Sequence, residues 1–336
     1  MAPAPKRDQL DRIAANYSLD EAGVSTMLEI AGARPGRAAV RDFLARAAGI
    51  AGVLSLAAGV VFFVAANWSR IAVFGRFALL ELLLLAFVAI SLVKPPPRFV
   101  GRAAVLLAFV VTGALLALFG QTYQTGADVY ELFLSWALLG LPFAIAARWG
   151  VASAAWVLVL NAALLLFCGW QPRGGLLWLV FDGTRFTTVH ALLFAAYLNL
   201  GLWVAFERLA VPAVPEWVRP LLLSCGFGFV TWVGVLGAVD NDYLFGGNSS
   251  PGTALIGAFA AMATVSWLAL RRRRDIYPLA VAMGSFIIVV LCAVPRFTNG
   301  DVATFFSFAV WLIASSTVAG KVLMSLLRRW RAEAAA

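Results

Sequence analysis

Histidine, cysteine and charged residues are all scarce in this chain of 336 residues. There is a single histidine, His190, whereas a histidine-based metal site needs several such ligands. The three cysteines, Cys168, Cys225 and Cys292, stand alone without C-x-x-C spacing, which is typical of small packing residues. Phosphate-binding loops, dinucleotide fingerprints and G-x-S-x-G motifs are also missing. The sequence therefore predicts no metal site and no cofactor, and it favours a role other than catalysis.

Only 13% of the residues are charged, while 62% are hydrophobic and the mean hydropathy is +0.89. A soluble domain has about 45–50% apolar and about 25% charged residues, so this chain cannot cover its core with a polar surface. The net charge of +9 does not indicate nucleic-acid binding, because excess Lys and Arg in membrane proteins belong to the loops that set topology. The composition predicts an all-α, polytopic membrane protein surrounded by membrane lipids.

Ten apolar runs have lengths near the roughly 20 residues that cross a bilayer as a helix. They cover residues 47–66, 77–93, 103–119, 132–147, 151–170, 189–206, 221–238, 253–270, 276–294 and 302–320. A shorter run at 176–181 cannot span and is expected to be interfacial or re-entrant. If the amino terminus is cytoplasmic, 21 of the 26 Lys and Arg residues fall in cytoplasmic segments, as the positive-inside rule requires. The sequence predicts ten transmembrane helices with both termini in the cytoplasm.

The first apolar run begins only at Ala47, later than the apolar region of a signal peptide would. Residues 1–46 are predicted to form a cytoplasmic helical lead-in, which either packs on itself or docks a partner. Ser18 and Glu21 have capping-box spacing, which predicts a helix from there to about Ile30. Residues 37–46 are expected to continue into the first span. The predicted division is 1–46, four spans at 47–150, six spans at 151–323, and a basic tail at 324–336.

Ionisable residues are almost absent from the predicted spans, although such residues usually mark a transport path. Glu81 is the only acidic one; it forms either an ion pair with Arg76 or a proton-coupling carboxylate. At mid-depth, Asn161 and Asn199 lie on spans that are neighbours in sequence. They either face each other as interhelical hydrogen-bonding groups or line a cavity.

Small residues recur every four positions on two of the predicted spans. The residues are Ala47, Ala51, Ser55 and Gly59 on the first span and Thr253, Gly257 and Ala261 on the eighth. Such faces let helix backbones approach closely in a membrane. Both helices are therefore expected to be buried in the bundle, or to contact a second copy or another membrane protein.

Polar residues gather on the expected outer side, in the loop predicted at 120–128. Gly120 and Gly126 allow tight turns, while Gln121, Tyr123 and Asp128 offer hydrogen bonds, a ring and a charge, the groups that ligand sites use. The candidate ligand-binding residues are Asn67, Trp68, Glu81, Gln121, Tyr123 and Asp128, with Asn161 and Asn199 deeper. The alternative is an ordinary loop whose polar groups cap helix ends.

These motifs carry a resemblance to a known family. The charged lead-in, the A-A-N-W sequence at 65–68 and the G-Q-x-Y-x-x-G pattern at 120–126 resemble the bacterial membrane-protein family called domain of unknown function 2157 (DUF2157), over roughly residues 10–150. Family members often have an acidic residue where this chain has Ser69, so a role for that carboxylate does not carry over. The resemblance implies a bacterial inner-membrane protein and brings no assigned activity. It implies a shared structural or functional role for Asn67, Trp68, Gln121, Tyr123 and Gly126.

Three functional hypotheses follow from the sequence. The first is binding or transport of a small neutral or amphiphilic solute through a site on the outer face. The second is a non-catalytic envelope scaffold that binds other membrane proteins. The third, an intramembrane enzyme using Glu81, Asp128 and Asp240, has no nucleophile–base spacing behind it. The sequence favours the first.

Overall fold

The computed structural model describes residues 7–66, 71–123, 126, 128–169, 188–208, 217–239, 251–297 and 302–333. Within these residues every regular element is helical, which confirms the all-α prediction. The chain divides into two compact units, Met1–Ile71 and Ala72–Ala336. The finer division at residues 46, 150 and 323 stays a prediction.

The first unit contains helices α1 (Arg7–Asn16), α2 (Glu21–Ile30) and α3 (Arg37–Ala66). The helix predicted after Ser18 exists, but its predicted N-cap was wrong. Asp20 caps α2, because its carboxylate accepts a hydrogen bond from Gly23 N at 2.8 Å. Ser18 has a left-handed backbone with a φ of 49°, whereas an N-cap residue is extended. Helix α3 runs without interruption from Arg37 into the first span, as predicted.

The described residues of the second unit form nine further helices. They are α4 (Val73–Val93), α5 (Phe99–Tyr123), α6 (Val129–Ala147), α7 (Gly150–Gly169), α8 (Thr188–Arg208), α9 (Val218–Val239), α10 (Pro251–Leu268), α11 (Ile276–Ala293) and α12 (Val302–Glu333). A π-helical turn, Ala269–Arg273, extends α10, and a 3-10 turn, Val294–Phe297, follows α11.

The ten helices from α3 to α12 are long and apolar enough to cross a membrane, which confirms the predicted number of spans. The largest difference is α12, which continues to Glu333 because the basic residues after the apolar run keep the helical conformation. The predicted interfacial run at 176–181 lies outside the described residues.

Helix α9 packs against four others in the second unit, α7, α8, α10 and α11. Its residues Val230 and Val233 have no exposed surface. In contrast, only 6% of the apolar window of α12 is buried, against 56% for α9. Since α12 packs mainly on α11, most of its surface is left for lipid.

The contact between α5 and α6 is an interlock of two rings and two glycines. The rings of Phe109 and Trp136 lie 5.3 Å apart, and Trp136 Nε1 donates to the Phe109 carbonyl at 2.9 Å. A Cβ on Gly113 would overlap the Trp136 ring, and a Cβ on Gly140 would overlap the Phe109 ring. Each ring therefore fills the place of a side chain on the opposite helix, so the two helices lie close together with no gap.

The small-residue face of α10 is partly buried within the second unit, since Thr253 is exposed and Gly257 is half-buried. A Cβ on Gly257 would overlap the side chain of Leu193 on α8, and Tyr197 of α8 donates to the Gly257 carbonyl at 2.9 Å. Ala261 is 1% exposed. Gly257 and Ala261 therefore pack in the bundle, which is one of the two predicted arrangements, whereas Thr253 does not. The matching face of α3 and any second copy remain predictions.

Candidate functional site

The predicted outer group begins on a helix and not in a loop. Gly120, Gln121 and Tyr123 form the last turn of α5, so the prediction that the loop starts at residue 120 was wrong. A single glycine does not end the helix here, because backbone N–H and C=O groups at the edge of a membrane would lose their helical hydrogen bonds with little water to replace them. The Tyr123 ring packs 4.8 Å from Phe119 and 6.2 Å from Phe77 on α4. Tyr123 thus joins the ends of α4 and α5.

The turn between α5 and α6 contains Gly126 and Asp128. Gly126 has a φ of +66°, a conformation that glycine adopts without strain. Asp128 is the N-cap of α6, and its carbonyl accepts from Glu131 N at 2.9 Å, while its side chain makes no capping bond. The next residue but one, Tyr130, is 2% exposed and packs 5.3 Å from Phe167. This turn is therefore anchored by Tyr130 and presents a half-buried carboxylate.

Glu81 does not join this group through an ion pair. Its side chain is exposed and makes no ion pair with a described residue, so the predicted pairing with Arg76 was wrong. Residues five apart on a helix point about 140° away from each other, since the helix has about 3.6 residues per turn. Asn67 and Trp68 lie outside the described residues. The described part of the chain also holds no group of three His, Cys, Asp or Glu residues that could bind a metal ion.

Asn161 of α7 and Asn199 of α8 form a closed hydrogen-bonded pair. Asn161 Nδ2 donates to Asn199 Oδ1 at 3.1 Å, and Asn199 Nδ2 donates to Asn161 Oδ1 at 3.0 Å. The second N–H of each amide donates four residues back, to Val157 O at 2.8 Å and to Ala195 O at 2.9 Å. The two residues are 6% and 0% exposed. They face each other, as one of the two predicted arrangements has it, and their donors are fully used.

Two further polar pairs join α9 to α11. Thr231 Oγ1 lies 2.7 Å from Ser285 Oγ, and Ser224 Oγ lies 2.6 Å from Tyr277 Oη. Thr231 donates to the Phe227 carbonyl, which leaves Ser285 to donate to Thr231. Bonds of this kind are worth about 0.6 kcal/mol each in a membrane. They act as contacts between helices and offer no free group to a solute.

Helices α10, α11 and α12 also border an open apolar groove of about 620 Å³, which we call the α10–α12 groove. Aromatic and methionine side chains form its walls, with alanine, serine, valine and isoleucine between them. The largest lining residues are Phe259 and Met262 of α10, Met283 and Phe286 of α11, and Trp311 of α12. Methionine side chains adapt to irregular shapes, so the walls suit a flexible apolar ligand.

The polar atoms of the groove are largely occupied by the protein itself. Trp311 Nε1 donates to the Ile287 carbonyl at 3.1 Å, and Ser315 Oγ donates to the Trp311 carbonyl. Phe286 lies between the rings of Phe259, at 5.9 Å, and Trp311, at 6.4 Å. None of these residues was predicted as a site. Their apolar pattern along each helix is also that of ordinary helix packing, so the sequence holds no signal that separates the two.

A comparison with protein families finds a match to part of the chain. Residues 7–153 match the family described as "Predicted membrane protein (DUF2157)". This match confirms the resemblance predicted from the motifs at 65–68 and 120–126. It covers the lead-in helices, the first four spans and the start of α7, and it ends before the α10–α12 groove. Neither a curated protein nor a solved structure matches the chain.

Proposed function

We propose that this chain, which carries the DUF2157 region at residues 7–153, binds an amphiphilic molecule in the α10–α12 groove. The volume of about 620 Å³ supports this proposal, since ligand sites enclose about 300–1,000 Å³ and are lined mainly by apolar and aromatic side chains. The groove lies along three membrane-spanning helices, so its ligand enters from the lipid phase. An apolar chain is the part of the ligand that fits these walls.

Binding is favoured over transport of a polar solute by the state of the buried polar groups. Asn161 and Asn199 use their amides on each other, and Thr231 and Ser285 are paired as well. A polar solute crossing between these helices would have to replace those bonds in a medium without water. In this proposal Tyr123 packs the end of α5 against α4, and the candidate outer residues are not the entrance of a polar path.

We also propose that the protein lies in a bacterial inner membrane with both termini in the cytoplasm. The support is the distribution of charge, with 21 of 26 Lys and Arg on the cytoplasmic side in that orientation. A reporter phosphatase that works only in the periplasm should be inactive when fused after Ala336 and active when fused after Gly174. The opposite pattern would contradict this orientation.

The amphiphile proposal is tested by filling the groove. Ala263 lines the groove, whereas Ala260, one turn earlier on α10, does not. A photoreactive fatty acid should label wild-type peptides that contain Met262, Met283 or Trp311. Ala263→Phe should reduce this labelling at least about fivefold, because overpacking costs about 1–3 kcal/mol.

Ala260→Phe is the matched control and should label like the wild type. Equal labelling of the Ala263→Phe variant would overturn the proposal, as would wild-type labelling of α4 as strong as that of the groove peptides. Either result would mean that the fatty acid contacts the protein only as bulk lipid.

A further inference from the structure

A second cavity lies wholly in the first unit, between the end of α2 and the start of α3, with a volume of about 810 Å³. Three arginines, Arg34, Arg37 and Arg41, line it together with a single carboxylate, that of Glu29. We propose that this cavity binds the phosphate group of an anionic membrane lipid. The site is separate from the α10–α12 groove and does not depend on the function proposed for it.

The arginines have donors left for a ligand. Arg34 Nη1 donates to Ser25 Oγ at 3.3 Å, which uses one of its five N–H groups. Arg37 and Arg41 are four residues apart on α3 and so lie on one face of the helix. Neither makes an ion pair with a described residue. One guanidinium group can donate two parallel hydrogen bonds to two oxygens of a phosphate, which lysine cannot do with the same geometry.

Glu29 offsets only part of the charge of this cluster, because it supplies one carboxylate against three arginines and that carboxylate lies at the start of α3. A Cβ on Gly36, the residue before the first residue of α3, would lie 3.3 Å from Glu29 Oε2. The amino-terminal end of a helix carries a partial positive charge that stabilises a carboxylate. Glu29 thus compensates the helix end, and the cavity keeps an excess of positive charge.

The wall of the cavity changes from charged to apolar along α3, and this favours a lipid over a free phosphate. After Arg41 the lining continues with Leu44, Ala45 and Ala48. From Arg37 to Ala48 the helix rises about 16 Å, at about 1.5 Å per residue, and then enters the apolar span. A molecule with a phosphate at one end and acyl chains at the other matches this order of side chains.

The test compares lipid retention by the full chain in nanodiscs of equimolar phosphatidylglycerol and phosphatidylcholine. Native mass spectrometry of the released protein counts the lipids that stay bound. Wild type should retain phosphatidylglycerol preferentially. Arg37→Gln with Arg41→Gln should lower that preference by about fivefold per arginine and about 30-fold together, since each basic residue near an anionic surface contributes about 1 kcal/mol.

Arg46→Gln is the matched control, because Arg46 lies on α3 but does not line the cavity, and it should lower the preference less than Arg41→Gln does. An equal loss in this control would overturn the proposal in favour of diffuse surface charge, and so would an unchanged preference in the double variant. Displacement of the lipid by soluble glycerol phosphate would overturn the assignment to a lipid. If the double variant does not fold, Arg41→Gln alone should show the fivefold loss.

Discussion

The contacts among α5 to α8 are closed, whereas those among α10 to α12 leave a groove, although both use aromatic and small residues. In the α5–α6 interlock, each ring lies on a glycine of the opposite helix. In the groove, the ring of Phe286 meets the rings of Phe259 and Trp311, with centroids 5.9 and 6.4 Å apart. Both contacts therefore contain a pair of rings between helices, at 5.3 Å in the α5–α6 contact. Only the α5–α6 contact also places each ring on a glycine of the opposite helix, which lets the two backbones approach.

The polar groups also differ between the α5–α8 region and the α10–α12 groove. The closed region contains the Asn161–Asn199 pair, in which each amide satisfies the other. The groove presents apolar walls, and its Trp311 and Ser315 donors are spent on backbone carbonyls. A molecule that enters the α10–α12 groove from the membrane therefore lies mainly beside apolar groups. This contrast is the physical reason for assigning an amphiphile and not a polar solute.

The largest expected effect is on the closely packed contact between α5 and α6, at Gly113. Gly113→Ala places a Cβ against the Trp136 ring, which is fixed by its bond to the Phe109 carbonyl. The ring cannot move without losing that bond, so we expect the free energy of unfolding to fall by about 1–3 kcal/mol. Thermal unfolding in detergent measures the change.

Gly120→Ala is the control for this substitution, since it lies on the same helix and its added Cβ would meet no atom within 4 Å. It should change stability little, and a loss equal to that of Gly113→Ala would show that the effect comes from helix α5 itself and not from the interlock.

Much of the fold could be predicted from the sequence because apolar runs of this length have few alternatives in a membrane. The ten spans and the continuous α3 follow from that rule. The same rule explains an error, because residues 120–123 look polar yet stay helical at the membrane edge. The cap of α2 moved from Ser18 to Asp20 because a choice between neighbouring polar residues depends on backbone angles that the pattern does not contain.

The site could be predicted only where two groups have complementary bonding needs. Asn161 and Asn199 were named from the sequence, and their mutual pairing was one of two stated arrangements. The α10–α12 groove could not be predicted, because it arises where α12 stays on one side of α11 and leaves a space beside α10. That geometry depends on helix crossing, and Met262, Phe286 and Trp311 would look the same in a filled interface.

The smallest expected effect is the coupling energy between Asn161 and Asn199, which measures how much their mutual bonds stabilise the contact between α7 and α8. Asn161→Leu leaves an amide group of the fully buried Asn199 without its partner, which should cost about 1–3 kcal/mol. The double change to leucine removes both amides and should cost less than the sum of the single changes. We expect a coupling energy of about 0.6–1.7 kcal/mol from unfolding in one detergent.

Thr231→Val combined with Asn161→Leu is the control and should be additive, since these residues share no bond. Zero coupling for the asparagines would mean that the bonds to Val157 O and Ala195 O suffice for each amide. The two side chains could then separate without loss of stability, and their bonds would no longer be an argument against passage of a polar solute.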